Sequence, residues 1–483
     1  YAIVSASFVV RVVAFFALPN TASSLGPDEA NYGALTEWIA DGKPADEYPY
    51  SGLYIISRSL IVPASLLNRL GFSGLDSVRI IASIYGLLTF SLITFILLRI
   101  VESRQEAANF VFKNQKTVLI LFVIFGFLPS HLIWSVLGLR EAAMEFWILV
   151  VFSLVFYVFE VKKSPTKLAF LGILIAIPLV FSSRPQVGWV LGVTLLIYFL
   201  FKARVRAAQI LIPLTIIGIV SGYVVTTAFS VETTEVFVAH TELIESSPSA
   251  SSTAISSPSN TVKPKPSKSG QTTSSPTATT SAEFDASKLC ETEGQEVSIG
   301  ESKYLCSKEV EKKSIVGLKN PGVALVDQAD AIPVRHEGNK VGAASAIKTL
   351  SCPITGESRI DKYFCIAYRA PYMTFTFLFR PMLGVDVTSN SSLFAALENV
   401  FWLGAALFVV VMFIRNRRLA FFGALAPSLL FFSIYSVAAG SYEGNMGTAF
   451  RHKSLILWVV ILLLASTIVA TQQRKAEREG ISG

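Results

Sequence analysis

The stretch RVVAFFALPNTASSLGPDEANYGALTEWI, residues 11–39, leaves an apolar run that begins at the first residue and enters a Gly-Pro turn followed by two adjacent acids, Asp28 and Glu29. After the acids, Leu35, Trp38 and Ile39 recur at helical spacing ahead of Gly42, which predicts an amphipathic helix. The passage therefore reads as a membrane helix that opens into a structured loop. The chain around it agrees. Of 483 residues, 52% are hydrophobic and only 16% charged, mean hydropathy is +0.55, and soluble domains carry about a quarter charged residues. A polytopic, all-α membrane protein is expected. With no charged n-region ahead of it, the first run is expected to be an anchor whose start is missing, not a signal peptide.

Apolar runs able to cross about 30 Å of hydrocarbon lie near 2–18, 77–99, 117–137, 142–161, 168–182, 187–201, 209–229, 398–414, 419–439 and 454–471. That makes about ten spans. The fifth and sixth are short, with Arg184-Pro185 as a turn between them. The net charge of +7 needs no nucleic-acid partner, because basic residues collect in alternate loops as the positive-inside rule requires. One set holds Arg104, Lys113 and Lys116; Lys162, Lys163 and Lys167; Lys202, Arg204 and Arg206; Arg415, Arg417 and Arg418; and Arg474, Lys475 and Arg478. Assigning that set to the cytoplasm puts both termini there. The acidic pair, Arg140-Glu141, Arg184, the long segment 230–397 and SYEGNMGTAFRHK (441–453) then face outward.

Residues 51–72, SGLYIISRSLIVPASLLNRLGF, are apolar but carry Arg58, Pro63, Asn68 and Arg69, so they predict a surface-lying or re-entrant helix. Residues 246–282 contain 25 Ser, Thr or Pro among 37 and predict a disordered linker. After it come all four cysteines, Cys290, Cys306, Cys352 and Cys365. Their confinement to one external segment predicts two disulfides in an oxidising compartment. Three pairings are open, and the sequence-local one, Cys290 with Cys306 and Cys352 with Cys365, is expected. YRAPYMTFTFLFRPMLGVDV, 368–387, is too short and too charged to span, and is expected on the outer leaflet, docking the cysteine domain or lining a lipid groove.

Residues 11–72 resemble the start of GT-C fold glycosyltransferases, the superfamily of protein O-mannosyltransferases and lipid A aminoarabinose transferases, in which a first helix leads into an external loop with an acidic pair and membrane-surface helices. LPSHLIWSVLGLREAAMEFWILVVF (128–152) and GNMGTAFRHKSLILWVVILLLA (444–465) resemble bacterial members more loosely. The resemblance implies an external active site, a polyprenyl-phosphate-linked sugar donor and Asp28 as the base. It leaves open a divalent cation, Mg or Mn, since some members use one and others do not.

The chemistry points the same way. Direct displacement at an anomeric carbon needs a carboxylate to take the acceptor proton and cations to stabilise the departing phosphate. Asp28 fits the first task. Glu29 fits acceptor binding, metal coordination or support. For the phosphate, Arg451 is the first choice, with Arg140, Arg184, His452 and Lys453 as further candidates, because guanidinium offers bidentate donors and keeps its charge. Each also has an ordinary reading: a dipole-favoured acidic pair at a helix start, a boundary ion pair for Arg140 and Glu141, and headgroup anchoring for Arg184 and residues 451–453. Arg11, costly inside a span, is expected to pair with Asp28 or Glu29 or to lie near the cytoplasmic surface. His131 is expected to be a satisfied polar group at a helix end.

The expected organisation is a transmembrane module 1–229 with a catalytic loop 19–76, a connector 230–245, the linker 246–282, an extracytoplasmic cysteine domain with its membrane-surface segment 283–397, and C-terminal helices 398–483. The expected activity is inverting sugar transfer to an envelope glycan, lipid or protein at the outer face of the cytoplasmic membrane. Two alternatives are a polymerase or ligase of undecaprenyl-diphosphate glycans, which would need the arginines but not Asp28, and a non-enzymatic scaffold or transporter.

Overall fold

In the computed structural model the described residues are 2–19, 28–49, 54, 57–102, 120, 123–124, 126–161, 167–202, 204–227, 231–240, 296–299, 302–314, 359–387, 389–415, 422–443 and 446–478. The chain divides into two compact units, one of Tyr1–Ser230 with Val316–Gly483, the other of Val231–Ile315.

Every regular element described in the larger unit is helical. The apolar runs become α1 (Ala2–Ala17), α4 (Gly74–Glu102), α6 (Arg140–Phe156, continued by a π-turn), α7 (Lys167–Ser183), α8 (Pro185–Phe201), α9 (Arg206–Thr227), α11 (Asn390–Arg415), α12 (Phe422–Tyr442) and α13 (Met446–Arg478). Between them lie α2 (Asp28–Ala40), α3 (Arg58–Arg69), the short α5 (Pro129–Val136) and α10 (Arg359–Phe379). Five helices, α4, α6, α9, α11 and α13, are long and apolar enough to cross a membrane, and α1, α7, α8 and α12 are apolar but shorter. This is the architecture of a multi-pass membrane protein, and among the described residues five helices, not the expected ten, meet that length. The stretch 117–137 lies partly outside the described residues, and its described part breaks at Leu128-Pro129, where Leu128 is extended (φ −58, ψ 130) and α5 starts afresh.

The last helix is the axis. In α13, Leu455, Ile456, Trp458, Val459 and Ile461 are fully buried, and 78% of the Met446–Ile468 window lies inside the protein against 33% for α11. It packs on α4, α5, α6, α10, α11 and α12. Helices α9 and α11 keep apolar rows exposed, including Ile217, Val220, Val400 and Leu407, as lipid-facing helices do.

At one end of this bundle α2 and α3 lie against α4. Gly42, with φ +75, ends α2 as a left-handed C-terminal residue: its N–H bonds Ile39 O at 3.1 Å and the Lys43 N–H bonds Trp38 O at 3.2 Å. Helix α3, only 12 residues, is tied by Ser59 to Ser183 at the end of α7 and by the Tyr85 hydroxyl, which donates to Ser59 O at 2.8 Å. Its other face leaves Val62, Leu66 and Leu70 exposed.

In the smaller unit, β1 (Val231–His240), β2 (Glu296–Ile299) and β3 (Ser302–Ser314) form an antiparallel sheet in the order β1-β3-β2, with Val231 opposite Ser314 and His240 opposite Leu305. A strand thus lies within the expected connector 230–245, where Val231, Thr233, Thr234, Val236, Phe237 and Val238 are β-branched or aromatic residues that favour extended backbone. Of residues 283–358, only β2 and β3, with Cys306 on β3, are described; the rest, with Cys290 and Cys352, and the whole linker 246–282 lie outside the described residues. Cys365 lies on α10 and carries a disulfide bond; the expected pairings fall outside the described residues. Helix α10 packs on α12 and α13, so Tyr368–Phe379 belongs to the helical body.

At Gly33 and Gly74, α2 meets α4 backbone on backbone: a Cβ at Gly74 would overlap the Gly33 carbonyl oxygen. Gly74→Val is expected to cost about 1–3 kcal/mol and lower the melting temperature, whereas Gly404→Val, at a site with nothing within 4 Å, is expected to leave it unchanged; thermal unfolding of the purified protein checks both.

Candidate functional site

Asp28 and Glu29 occupy the first turn of α2, and successive helical residues diverge by about 100°. They face different partners. Glu29 is fully buried. Arg79 donates to it through Nε at 2.6 Å and Nη2 at 2.9 Å, the Gly138 N–H donates at 2.9 Å, and Arg79 Nη1 also holds Pro19 O at 2.7 Å. One bidentate pair therefore ties α2, α4, the α5–α6 link and the end of α1 together. Of the three roles expected for Glu29, this geometry fits support.

Asp28 stays open, its side chain 46% exposed, and accepts a hydrogen bond from Arg451 Nη1 at 3.0 Å. Arg451, near the start of α13, is mostly buried, and its Nε lies 3.1 Å from Glu141 Oε1 on α6. Neither Glu141 oxygen accepts a hydrogen bond. Behind this pair His452 is fully buried between Glu443, which bonds its Nδ1, and Arg184, whose Nη1 meets its Nε2. Guanidinium can only donate, so Nε2 accepts and the ring proton sits on Nδ1, the neutral tautomer. Arg184 also lies 3.9 Å from Glu443, and Arg140 is close enough to act electrostatically on Tyr32 and His452. The fold thus gathers Asp28, Arg140, Glu141, Arg184, Glu443, Arg451 and His452 from α2, α6, the α7–α8 turn and the α12–α13 junction.

Lys453 is not part of this set. The next residue on a helix points elsewhere, and Lys453 Nζ donates to Asn399 Oδ1 at 2.6 Å and to Leu378 O at 2.9 Å, fastening α10 and α11 to α13. Arg11 does not pair with Asp28 or Glu29: its Nε donates to Ser135 at 3.1 Å and its Nη1 to Ser7 O at 3.1 Å. His131 lies 3.4 Å from Glu145. Glu398, on α11, accepts from the Ser130 N–H at 2.9 Å and Trp402 Nε1 at 3.0 Å.

Three participants went unnoticed as site residues in the sequence: Arg79, Glu141 and Glu443. The signals were faint. Glu443 precedes Arg451 and His452 within one loop, and Glu141 had the local reading of a partner for Arg140. Among the described residues no group of three His, Cys, Asp or Glu side chains is arranged to hold a metal ion, and the acids near Asp28 each face guanidinium.

Burial pushes the Glu443 carboxyl up from its ordinary 4.5 to about 7, outweighing the Arg184 and Arg451 charges. Between these values the unfolded chain ionises while the folded protein keeps the proton, so the group's contribution to stability falls as pH rises from about 4.5 to about 7. Glu443→Gln is expected to flatten that part of the melting-temperature profile. Arg79→Met strands the Glu29 charge and is expected to cost about 3–5 kcal/mol; the Glu29→Gln/Arg79→Met pair should recover most of it in chemical unfolding.

Comparisons with protein-family models, curated proteins and solved structures give no match to this chain.

Proposed function

We propose that the protein is a GT-C type glycosyltransferase that moves a sugar from a polyprenyl-phosphate carrier to a hydroxyl acceptor, with inversion. One observation carries this reading: Asp28 is a half-exposed carboxylate held at 3.0 Å by Arg451, at the head of a buried set of cations. Asp28 Oδ takes the acceptor O–H proton as the acceptor oxygen bonds the anomeric carbon. The bond from that carbon to the phosphate oxygen breaks, and its electron pair leaves with the polyprenyl phosphate. Arg451, with Arg184 and Arg140, stabilises the charge that develops there. A phosphate on Arg451 competes with Asp28 for the guanidinium, so donor binding frees the base. The unfilled acceptors on Glu141 and Glu443 Oε2 suit sugar hydroxyls.

The charge sorting of the loops supports a cytoplasmic membrane location, with both termini inside and Asp28 outside. Arg99, Lys202, Arg206 and Arg415 lie at helix ends remote from the cluster.

The test is sugar transfer from polyprenyl-phosphate sugars by the purified protein. Asp28→Asn is expected to lower kcat about 10²–10⁴-fold, and Arg451→Ala to lower kcat/KM with a raised KM for donor. Full activity in Asp28→Asn overturns the base assignment and favours a polymerase or ligase working through the arginines alone.

A further inference from the structure

Below the Glu29–Arg79 pair, a cavity of about 540 Å³ opens between α1 and α4. Its walls are mostly apolar, with Val12 and Phe16 on α1 and Ile80 and Ile84 on α4, and its polar lining includes Asp76, Arg79 and Ser83. Val12, Phe16 and Ile84 are 36%, 79% and 46% exposed, so the cavity faces the surroundings of the bundle, where a membrane protein meets lipid. Arg11 also lines it. That side chain is 1% exposed, and while Nε and Nη1 are hydrogen-bonded to Ser135 and Ser7, Nη2 has no partner. A buried donor left unmatched in apolar surroundings is costly, and a ligand oxygen removes that cost.

The ladder of contacts gives the cavity its relation to Asp28. Arg79 joins the cavity to Glu29, and Asp28, the residue before Glu29 in the chain, turns to Arg451. The acidic pair therefore stands between the cations on one side and the cavity on the other. In a single displacement the nucleophile and the leaving phosphate approach from opposite faces of the anomeric carbon. If the phosphate goes to Arg451, the acceptor arrives from the cavity side.

We propose that the cavity holds the acceptor and that the acceptor is an acyl lipid with a hydroxyl-bearing headgroup: its chain lies between α1 and α4, an acyl carbonyl accepts from Arg11 Nη2, and the headgroup hydroxyl reaches Asp28. Arg11 lies seven residues before Leu18 at the end of α1, about 10 Å along the helix axis, which separates the carbonyl from the headgroup. A bare isoprenoid chain has no oxygen for Nη2, and this favours an acyl lipid over the carrier's own tail. The proposal rests on the glycosyltransfer reading of Asp28.

The experiment uses the full chain in nanodiscs with two diazirine probes, an acyl-labelled phosphatidylglycerol and a polyprenyl phosphate, mapped by mass spectrometry, together with sugar transfer onto phosphatidylglycerol. The acyl probe is expected to label the α1 and α4 peptides, and Ile84→Trp or Val12→Trp, which fill the cavity, to lower that labelling and the transfer at least tenfold. Leu407→Trp, on exposed α11, should change neither. Labelling of α1 and α4 no greater than of α11, or capture there of the polyprenyl probe instead, overturns the proposal. So does full transfer to a water-soluble acceptor by Ile84→Trp with no transfer to lipid by the wild type, a result that leaves the glycosyltransfer reading standing. Specific cavity labelling without transfer from any donor keeps the acyl-lipid site and overturns the glycosyltransfer reading.

Discussion

A carboxylate and a guanidinium removed from water must be paired in good geometry or the fold loses several kcal/mol for each, and the Glu29–Arg79 pair meets that demand with two parallel hydrogen bonds. Its position matters more than its net contribution. Because Glu29 also takes the Gly138 N–H and Arg79 also holds Pro19 O, the pair fixes the start of α2 relative to α1, α4 and the α5–α6 link. Asp28 inherits that placement. A residue in the first turn of a helix whose neighbour is clamped has little freedom in where it points.

The same economy runs through the rest of the end layer. His452 is enclosed by Glu443 and Arg184, Arg451 by Asp28 and Glu141, and Lys453 by main-chain oxygens and Asn399. Three successive residues of α13 thus serve three directions, which the helical rotation of about 100° per residue makes natural. Because α13 is the buried axis of the bundle, these residues reach elements hundreds of positions apart in the chain. The cluster is the polar cap of an apolar helix.

Much of this organisation was legible beforehand. The hydropathy runs located seven of the helices to within about three residues and caught the apolar middles of α11 and α13, whose polar ends extend up to eight residues further, since a continuous apolar stretch leaves a chain in lipid no option but a helix. Gly42 marked the end of α2, and Arg58, Pro63 and Arg69 kept α3 from being counted as a span. Charge sorting placed Asp28, Arg140, Arg184 and Arg451 in loops of one set, and the fold gathers them at one end. The strand β1 was not foreseen, because residues 231–240 show no period-2 alternation and sit beside a Ser/Thr/Pro-rich run that dominated the composition.

What the sequence determined by itself was therefore local and one-dimensional: where apolar runs begin and end, which loops carry charge, where a turn or cap must fall. Only the tertiary structure decided which charge meets which. Glu29 and Asp28 are indistinguishable as adjacent acids, yet one is spent on Arg79 and the other left open beside Arg451; Lys453 and Arg451 are both cations in one tripeptide, yet only one faces the cluster. The physical reason is that pairing depends on side-chain direction and on desolvation at contacts between helices far apart in the chain, and neither is written in spacing or composition.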